Sequence, residues 1–144
     1  MVKALRDQGG FTLIELLIVM VILGLLASLV GPKMFGKIGK SKQKAAKAQI
    51  SLFETACDTY RLDVGEYPTA EQGLASLRVK PSDVEEWDGP YLPKDVPLDP
   101  WGHPYIYKFP GEHGDYDIIS YGADGSPEGE GKDEDIVSWK DIGR

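Results

Sequence analysis

The sequence predicts an α+β fold in which a long N-terminal helix packs on a small C-terminal antiparallel sheet with a long irregular loop. Three observations predict it. An apolar run covers residues 11–30, helical spacing of apolar and small side chains continues over residues 40–64, and aromatic and β-branched residues concentrate at residues 105–109 and 116–121. The first half of the helix is expected to span a membrane and the second half to be amphipathic.

The apolar run has the length of a transmembrane helix and contains one ionisable side chain, Glu15. As a helix, residues 11–30 would be about 30 Å long, which is the thickness of the hydrocarbon core of a bilayer. A single membrane anchor explains the run. It does not explain Glu15, because a carboxylate in hydrocarbon is costly and usually functional. The alternative is that Glu15 lies at the headgroup level and contacts water.

The second half of the helix should be separated from the first. Gly31-Pro32 predicts a kink or local melting, after which we expect the helix to resume near Lys40, run to about Val64 and end at Gly65. Apolar or small side chains at helical spacing predict the face that packs on the domain: Ala45, Ala48, Leu52 and Ala56, widened by Ile50, Phe53, Cys57 and Tyr60.

Prolines make residues 65–100 irregular. A short helix is expected over residues 69–77, because Thr69 and Gln72 have the spacing of a capping box. The large side chains of this region are interpreted as packing that holds the loop on the domain, with a ligand pocket as the alternative: Trp87, Tyr91, Leu92 and Trp101.

Two strands are predicted at residues 105–109 and 116–121, on either side of a turn with glycine at positions 111 and 114. A third short strand is predicted at residues 136–139. Together these segments form the antiparallel sheet of the predicted fold.

Charge and composition exclude several classes of function. The formal net charge of −7 argues against general binding to nucleic acid. No nucleophile, base and orienting group form a recognisable catalytic set, and neither His103 nor His113 has the spacing of a metal ligand. The single cysteine, Cys57, excludes an intrachain disulfide, and its apolar helical surroundings indicate buried packing.

Charge is also distributed unevenly along the chain. Six lysines without an intervening acid follow the apolar run: Lys33, Lys37, Lys40, Lys42, Lys44 and Lys47. We assign the cytoplasmic side of the membrane to Lys3 and Arg6, before the run. The later lysines are then interpreted as a contact with another subunit or with anionic lipid headgroups.

The segment Gly10-Phe11-Thr12-Leu13-Ile14-Glu15, which precedes and opens the apolar run, resembles the class III signal of type IV pilins and pseudopilins. The resemblance implies that a prepilin peptidase cuts between Gly10 and Phe11 and methylates the new amine of Phe11. It also implies a role in assembly for Glu15, which could pair with the terminal amine of a neighbouring subunit. The expected domains are a leader at residues 1–10, a transmembrane and assembly helix at 11–31 and a periplasmic domain at 32–144.

Four motifs in the rest of the chain resemble the major pseudopilin family of type II secretion, the G-type: Gly65-Glu66-Tyr67-Pro68-Thr69, Glu71-Gln72-Gly73-Leu74, Leu98-Asp99-Pro100-Trp101-Gly102 and Tyr121-Gly122-Ala123-Asp124-Gly125. The resemblance implies a structural subunit, not an enzyme, that is held in the bacterial inner membrane by one span and polymerises into a helical periplasmic filament. Implied partners are further copies of the chain, minor pseudopilins, prepilin peptidase and the inner-membrane assembly platform. The alternatives are a type IV pilin and a membrane-anchored calcium-binding module that does not polymerise.

Residues 122–135, here called the acidic loop, combine glycines with six acidic residues. Composition alone leaves two interpretations, a solvated acidic connector and a calcium site, since Ca²⁺ takes several oxygen ligands in flexible geometry. The spacing is not that of an EF-hand. The family resemblance implies one Ca²⁺ held by Asp124, Asp133 and Asp135. Backbone carbonyls near Tyr121 and Ser126 are further candidates.

Overall fold

The computed structural model describes residues 9–142. The chain divides into two compact units, Met1–Lys37 and Ile38–Arg144. Lys3 and Arg6, which carry the predicted orientation in the membrane, lie outside the described residues. The predicted boundaries of leader, transmembrane helix and periplasmic domain stay predictions.

Helix α1 extends over Leu13–Val64, a length of 52 residues. The predicted melting at Gly31-Pro32 is wrong, because helical structure continues through Pro32 to the end of α1. A proline interrupts one N–H···O=C bond, here the bond to the Ser28 carbonyl, and leaves the bonds of the turns on either side intact. One lost bond does not unwind the helix, even beside the weak helix formers Gly31, Gly36 and Gly39, because the neighbouring turns keep their bonds.

The buried face of α1 agrees with the prediction at its large core side chains and departs from it at Ala45, Ala48 and Leu52. Ala46, Ile50, Phe53, Cys57 and Tyr60 are almost fully buried and form the core with residues of the sheet and loop. Of the smaller side chains predicted to lead this face, Ala56 is buried, whereas Ala45, Ala48 and Leu52 are exposed. The face with the larger side chains is buried because each of them removes more apolar area from water. The helix ends as predicted, where the Gly65 N–H bonds to the Arg61 carbonyl at 2.8 Å.

The predicted helix at residues 69–77 is a capping box followed by a 3₁₀ helix, Leu74–Leu77. The Thr69 N–H bonds to Gln72 Oε1 at 2.9 Å, and the Gln72 N–H bonds to Thr69 Oγ1 at 3.3 Å. An α-helix does not follow, because Gly73 has φ 59° and turns the chain out of the helical conformation.

Aromatic side chains hold the long loop against the domain, which confirms the packing interpretation. Trp87 Nε1 donates to the Ser76 carbonyl at 2.7 Å, and the Tyr91 hydroxyl donates to Asp63 Oδ2 at 2.8 Å. Tyr91 also meets the rings of Tyr60 and Trp87 edge to face. These contacts anchor this part of the loop to α1 and to the 3₁₀ helix.

Three short antiparallel strands form the sheet in the order β1-β2-β3: β1 Ile106–Lys108, β2 Asp117–Ser120 and β3 Ile136–Val137. Tyr107 pairs with Ile118, and Ile119 pairs with Val137. All residues of β2 are buried, and Phe53 of α1 meets Tyr105, just before β1, edge to face at 5.0 Å. The α+β fold is confirmed, with strands shorter than predicted.

Candidate functional site

The start of α1 presents the predicted processing site in an open conformation. Gly9 and Gly10 precede the helix, are exposed and have no atom within 4 Å of a Cβ built on them. The Phe11 side chain is 92% exposed. The peptide bond between Gly10 and Phe11 is thus free of steric protection by the described part of the chain.

Glu15 forms a reciprocal cap with Thr12 at this end of α1. The Thr12 N–H donates to Glu15 Oε2 at 3.2 Å, and the Glu15 N–H donates to Thr12 Oγ1 at 3.2 Å. The cap satisfies two backbone donors that the first turn of a helix leaves open. Sequence reasoning missed the role of Thr12, although Thr-x-x-Glu is the spacing of a capping box.

The apolar side chains that follow Glu15 have no cover within the described residues. From Leu13 to Val30 each large apolar side chain is about half exposed or more. By length and composition this part of α1 can cross a membrane. Such a surface requires lipid or other protein around it, since soluble proteins rarely expose apolar patches of this size.

Asp124 and Asp135 come close enough to influence each other in the acidic loop. Asp124 Oδ1 accepts the Ser126 N–H at 3.1 Å, and Asp135 Oδ2 accepts the Glu128 N–H at 3.1 Å. Burial raises the pKa of Asp135, the bond from Glu128 opposes this, and the negative charges of Asp124 and Glu128 raise the pKa further. The net effect is an Asp135 pKa above its ordinary value.

The other predicted ligands lie directly before the loop and within it. Tyr121 is half-buried and Ser126 is exposed. The loop packs so tightly around Asp133 that a Cβ on Gly129 would overlap the Asp133 carbonyl oxygen. Across residues 9–142, no three side chains of His, Cys, Asp or Glu are grouped as a metal site. Of the three predicted carboxylates, Asp124 and Asp135 are the two whose charges influence each other, and the full ligand set stays a prediction.

Asp135 allows a test of whether a cation fits the loop. Asp135 Oδ1 is buried and has no hydrogen-bond partner among the described residues. A buried carboxylate oxygen without a partner is costly, and a hard cation would satisfy it. The donor set of carboxylate and carbonyl oxygens fits Ca²⁺ and contains no nitrogen or sulfur ligand that would favour a softer metal.

Side chains outside the loop also hold it, and sequence reasoning missed them. Gln43 Nε2 on α1 donates to the Gly131 carbonyl at 2.6 Å. The His103 ring lies against Gly125, and a Cβ at that glycine would come within 3.0 Å of the ring. His113 lies elsewhere, stacked on Trp139 and 3.1 Å from Asp117 Oδ2. Gln43 has helical spacing with the buried Ala46 and Ile50, but this spacing does not identify its partner in the loop.

A family model described as "Type II secretion system (T2SS), protein G" matches residues 33–139. The chain belongs to this family. A second model, "Prokaryotic N-terminal methylation motif", matches residues 5–31. The pseudopilin is accordingly a structural subunit of the type II secretion pseudopilus and not an enzyme, and the type IV pilin alternative is set aside.

Curated relatives agree over nearly the whole chain. The type II secretion system core protein G of Vibrio cholerae is 45% identical over 140 residues, covering 95% of each protein. That of Pseudomonas aeruginosa is 43% identical and covers 93% of this chain and 96% of the relative. The crystal structure of the major pseudopilin from the type 2 secretion system of enterohaemorrhagic Escherichia coli has a TM-score of 0.61 and 38% identity. It covers 72% of this chain and 87% of that one.

These findings establish the general role of the pseudopilin in type II secretion. It is anchored in a membrane through its apolar N-terminal helix and enters a periplasmic, pilus-like assembly with other components of the type II secretion system. Its N-terminal methylation motif implies processing by a prepilin peptidase.

Proposed function

We propose that this pseudopilin is cut between Gly10 and Phe11, methylated on the Phe11 amine, and held in the inner membrane by residues 11–30 with its C-terminal domain in the periplasm. The assembly platform in the inner membrane would then extract it into a helical filament of identical subunits that also meets minor pseudopilins. The observation that carries the proposal is the exposed apolar surface of α1 over Leu13 to Val30. Lipid covers this surface before assembly, and neighbouring helices cover it in the filament.

Glu15 is proposed to guide each new subunit into the filament. After cleavage the amine of Phe11 is a cation at the membrane, and the Glu15 carboxylate of a neighbour can pair with it. Glu15 Oε2 already accepts the Thr12 N–H of its own chain. A carboxylate has about four acceptor sites on its two oxygens, so a second donor can be added while the cap remains. Pairing makes both charges less costly in a low dielectric.

Two substitutions separate the charge of Glu15 from its capping role. Glu15→Leu removes both, whereas Glu15→Gln keeps an oxygen that can accept the Thr12 N–H and removes only the charge. We expect both variants to insert into the membrane and to be processed, and both to produce few or no filaments. Filaments would be counted by electron microscopy of material sheared from cells that overproduce the protein.

The outcomes distinguish the two roles. Normal filaments from Glu15→Gln but not from Glu15→Leu would mean that capping, rather than charge pairing, is what assembly needs. Normal filaments from both variants would refute a role for Glu15 in assembly. A variant that fails to insert would show up as protein absent from the membrane fraction before filaments are counted.

The acidic loop is proposed to bind one Ca²⁺. Asp124 and Asp135 would supply carboxylate oxygens, including the unpartnered Asp135 Oδ1. Asp133 and the backbone carbonyls near Tyr121 and Ser126 would complete the set. Bound Ca²⁺ would neutralise the repulsion between Asp124 and Asp135 and so favour the folded domain over the unfolded chain.

Thermal unfolding tests the calcium proposal. The intact chain in detergent micelles should melt at a higher temperature in millimolar Ca²⁺ than in chelator, and Asp124→Ala should remove the difference. Ca²⁺ at a hundredfold excess over Kd would stabilise the domain by about 2.7 kcal/mol. Matched ionic strength controls for screening, and Mg²⁺ should substitute poorly because it requires a smaller octahedral shell. Identical melting curves with Ca²⁺ and chelator would identify the loop as a solvated connector.

A further inference from the structure

Gln43 joins helix α1 directly to the acidic loop. Its side chain is buried, with 6% of the residue exposed, and its Nε2 donates to the Gly131 carbonyl at 2.6 Å. The two residues are 88 positions apart in the chain. A buried amide donor that loses its partner carries the cost of its desolvation, so this bond is well maintained. The position of the Gly131 carbonyl is thereby fixed relative to α1.

Gly131 begins the part of the loop that contains the later acidic residues. It is the first residue of the 3₁₀ helix Gly131–Asp133, and its carbonyl also accepts the Glu134 N–H at 3.4 Å. Asp133 lies at the end of this turn, and Asp135 follows it by two residues. A displacement of Gly131 would therefore move both carboxylates.

The segment that starts at Gly131 is in turn bonded to the earlier part of the loop. The Ala123 N–H donates to the Lys132 carbonyl at 3.4 Å, directly before Asp124 in the chain. The Glu128 N–H donates to Asp135 Oδ2 at 3.1 Å. These bonds make the separation of Asp124 and Asp135 depend on where the Gly131 segment is held.

We infer that Gln43 is a positioning residue for cation binding by the acidic loop, an inference that rests on the proposed calcium site. Gln43 does not touch the cation. It holds the Gly131 segment so that the oxygen donors are arranged before Ca²⁺ arrives, which reduces the ordering cost of binding. Residues that orient metal ligands from behind typically change metal affinity ten- to a hundredfold when they are removed. Because coupling between two sites is reciprocal, bound Ca²⁺ also restrains the Gln43 carboxamide.

A calorimetric titration of the full-length chain in detergent micelles with CaCl₂ tests this inference. Gln43→Met keeps the length of the side chain and removes its donor, and we expect the Kd for Ca²⁺ to rise about tenfold. Lys47→Met is the matched control on the same helix, four residues later. It removes bonds from Lys47 Nζ to carbonyls of residues 137, 138 and 140, which lie after the loop. This control should lower stability in chelator and leave the Kd unchanged.

Each outcome is decisive. A weaker Kd for Gln43→Met with an unchanged Kd for Lys47→Met supports positioning by Gln43. An unchanged Kd for Gln43→Met overturns the inference and leaves the calcium proposal standing. Equal weakening in both variants overturns it as well, because general loosening of the domain then explains the effect. Absence of heat and of any calcium-dependent melting shift in the unmodified chain would overturn the calcium proposal itself.

Nuclear magnetic resonance of the unmodified chain gives a second measurement that needs no variant to fold. The side-chain NH₂ signals of Gln43 should shift as Ca²⁺ is added, with the same apparent Kd as the calorimetric titration, because their acceptor lies in the loop. Side-chain amide signals elsewhere, such as those of Gln49, serve as the internal reference. Gln43 signals that stay in place while Ca²⁺ saturates the loop would overturn the inference.

Discussion

Lys47→Met should destabilise the domain by removing an ammonium group that donates to three backbone carbonyls near the C-terminus. Lys47 Nζ donates to the carbonyls of Val137, Ser138 and Lys140 at 2.7, 3.2 and 2.9 Å. These bonds tie β3 and the residues after it to α1. Methionine preserves the apolar part of the side chain and its packing, so the substitution isolates the three donors.

The magnitude follows from the kind of bond that is lost. A hydrogen bond to a charged group contributes about 1.5–3 kcal/mol, and bonds that share one ammonium are not additive. Lys47, Ser138 and Lys140 are partly exposed, so water replaces some of the loss, whereas Val137 is buried. We therefore expect a decrease of about 2 kcal/mol in the free energy of unfolding. For a domain of about a hundred residues, this lowers Tm by roughly 10 °C.

Thermal unfolding of the full-length chain in micelles, in chelator and followed by the near-ultraviolet signal of the domain's aromatic residues, measures this effect. Lys44→Met is the matched control, since Lys44 is exposed and no ion pair or hydrogen bond to its side chain is seen within residues 9–142. It removes the same charge and should shift Tm by less than about 2 °C. Equal shifts in the two variants would mean that net charge, and not the bonds to residues 137–140, determines the loss. No shift in Lys47→Met would refute the reasoning outright.

Two further predictions concern processing and pH. Gly10→Val should leave an unprocessed membrane protein. Its domain should fold normally, because no atom of the described residues lies within 4 Å of a Cβ at that position. Intact mass and the unfolding midpoint check these two results, and a mature N-terminus at Phe11 would contradict the first. Burial raises the pKa of Asp117, but hydrogen bonds from the His113 ring and from the N–H groups of Glu112 and His113 outweigh it and leave the pKa below its ordinary value. The charged carboxylate of Asp117 thus stabilises the fold at pH values above its unfolded pKa of about 4. This stabilisation is lost as the pH falls through the lower pKa of the folded state. Asp117→Asn should be less stable than the unmodified chain at pH 7, and this difference in stability should become smaller towards pH 3. Denaturation midpoints that differ by the same amount at both pH values would contradict a stabilising role for the charged form of Asp117.

The sequence was most informative where one physical signal dominates. The apolar run and the aromatic strand segments predicted α1 and the sheet, because burial and β-propensity act there without competition. The end of α1 at Gly65 and the capping box of Thr69 and Gln72 were also predicted, since caps depend on short-range hydrogen bonds. These features need only a few neighbouring residues to specify them.

The errors arose where local rules compete with longer-range structure. Pro32 suggested a break, but the cost of one lost hydrogen bond does not end a helix whose other turns are intact. The spacing of Ala45, Ala48 and Leu52 was as regular as that of the buried side chains. Only the tertiary structure decides between two such faces, and it buries the one with Phe53 and Tyr60.

The candidate site was predictable in composition but not in arrangement. Glycines and acids in one segment indicated the acidic loop, yet which carboxylates approach each other depends on bonds such as Ala123 to Lys132. Gln43 on α1 and His103 in the long irregular loop contact the acidic loop. Both are distant from it in sequence, so no local spacing predicts these contacts. Long-range contacts of this kind lie beyond motif reasoning from one sequence.

The burial of Cys57 has a practical consequence for mapping the pseudopilus. Burial, with the nearby carboxylates of Asp58 and Glu54, raises the pKa of this thiol to about 12, and the side chain has no exposed surface. The thiolate is the reactive form, so the native cysteine is protected from maleimides and oxidants while the domain is folded. A cysteine introduced at an exposed position such as Lys44 or Leu62 would be the one thiol to react. Pairs of such substitutions can therefore be cross-linked in living cells to trace subunit neighbours, without first replacing the native residue.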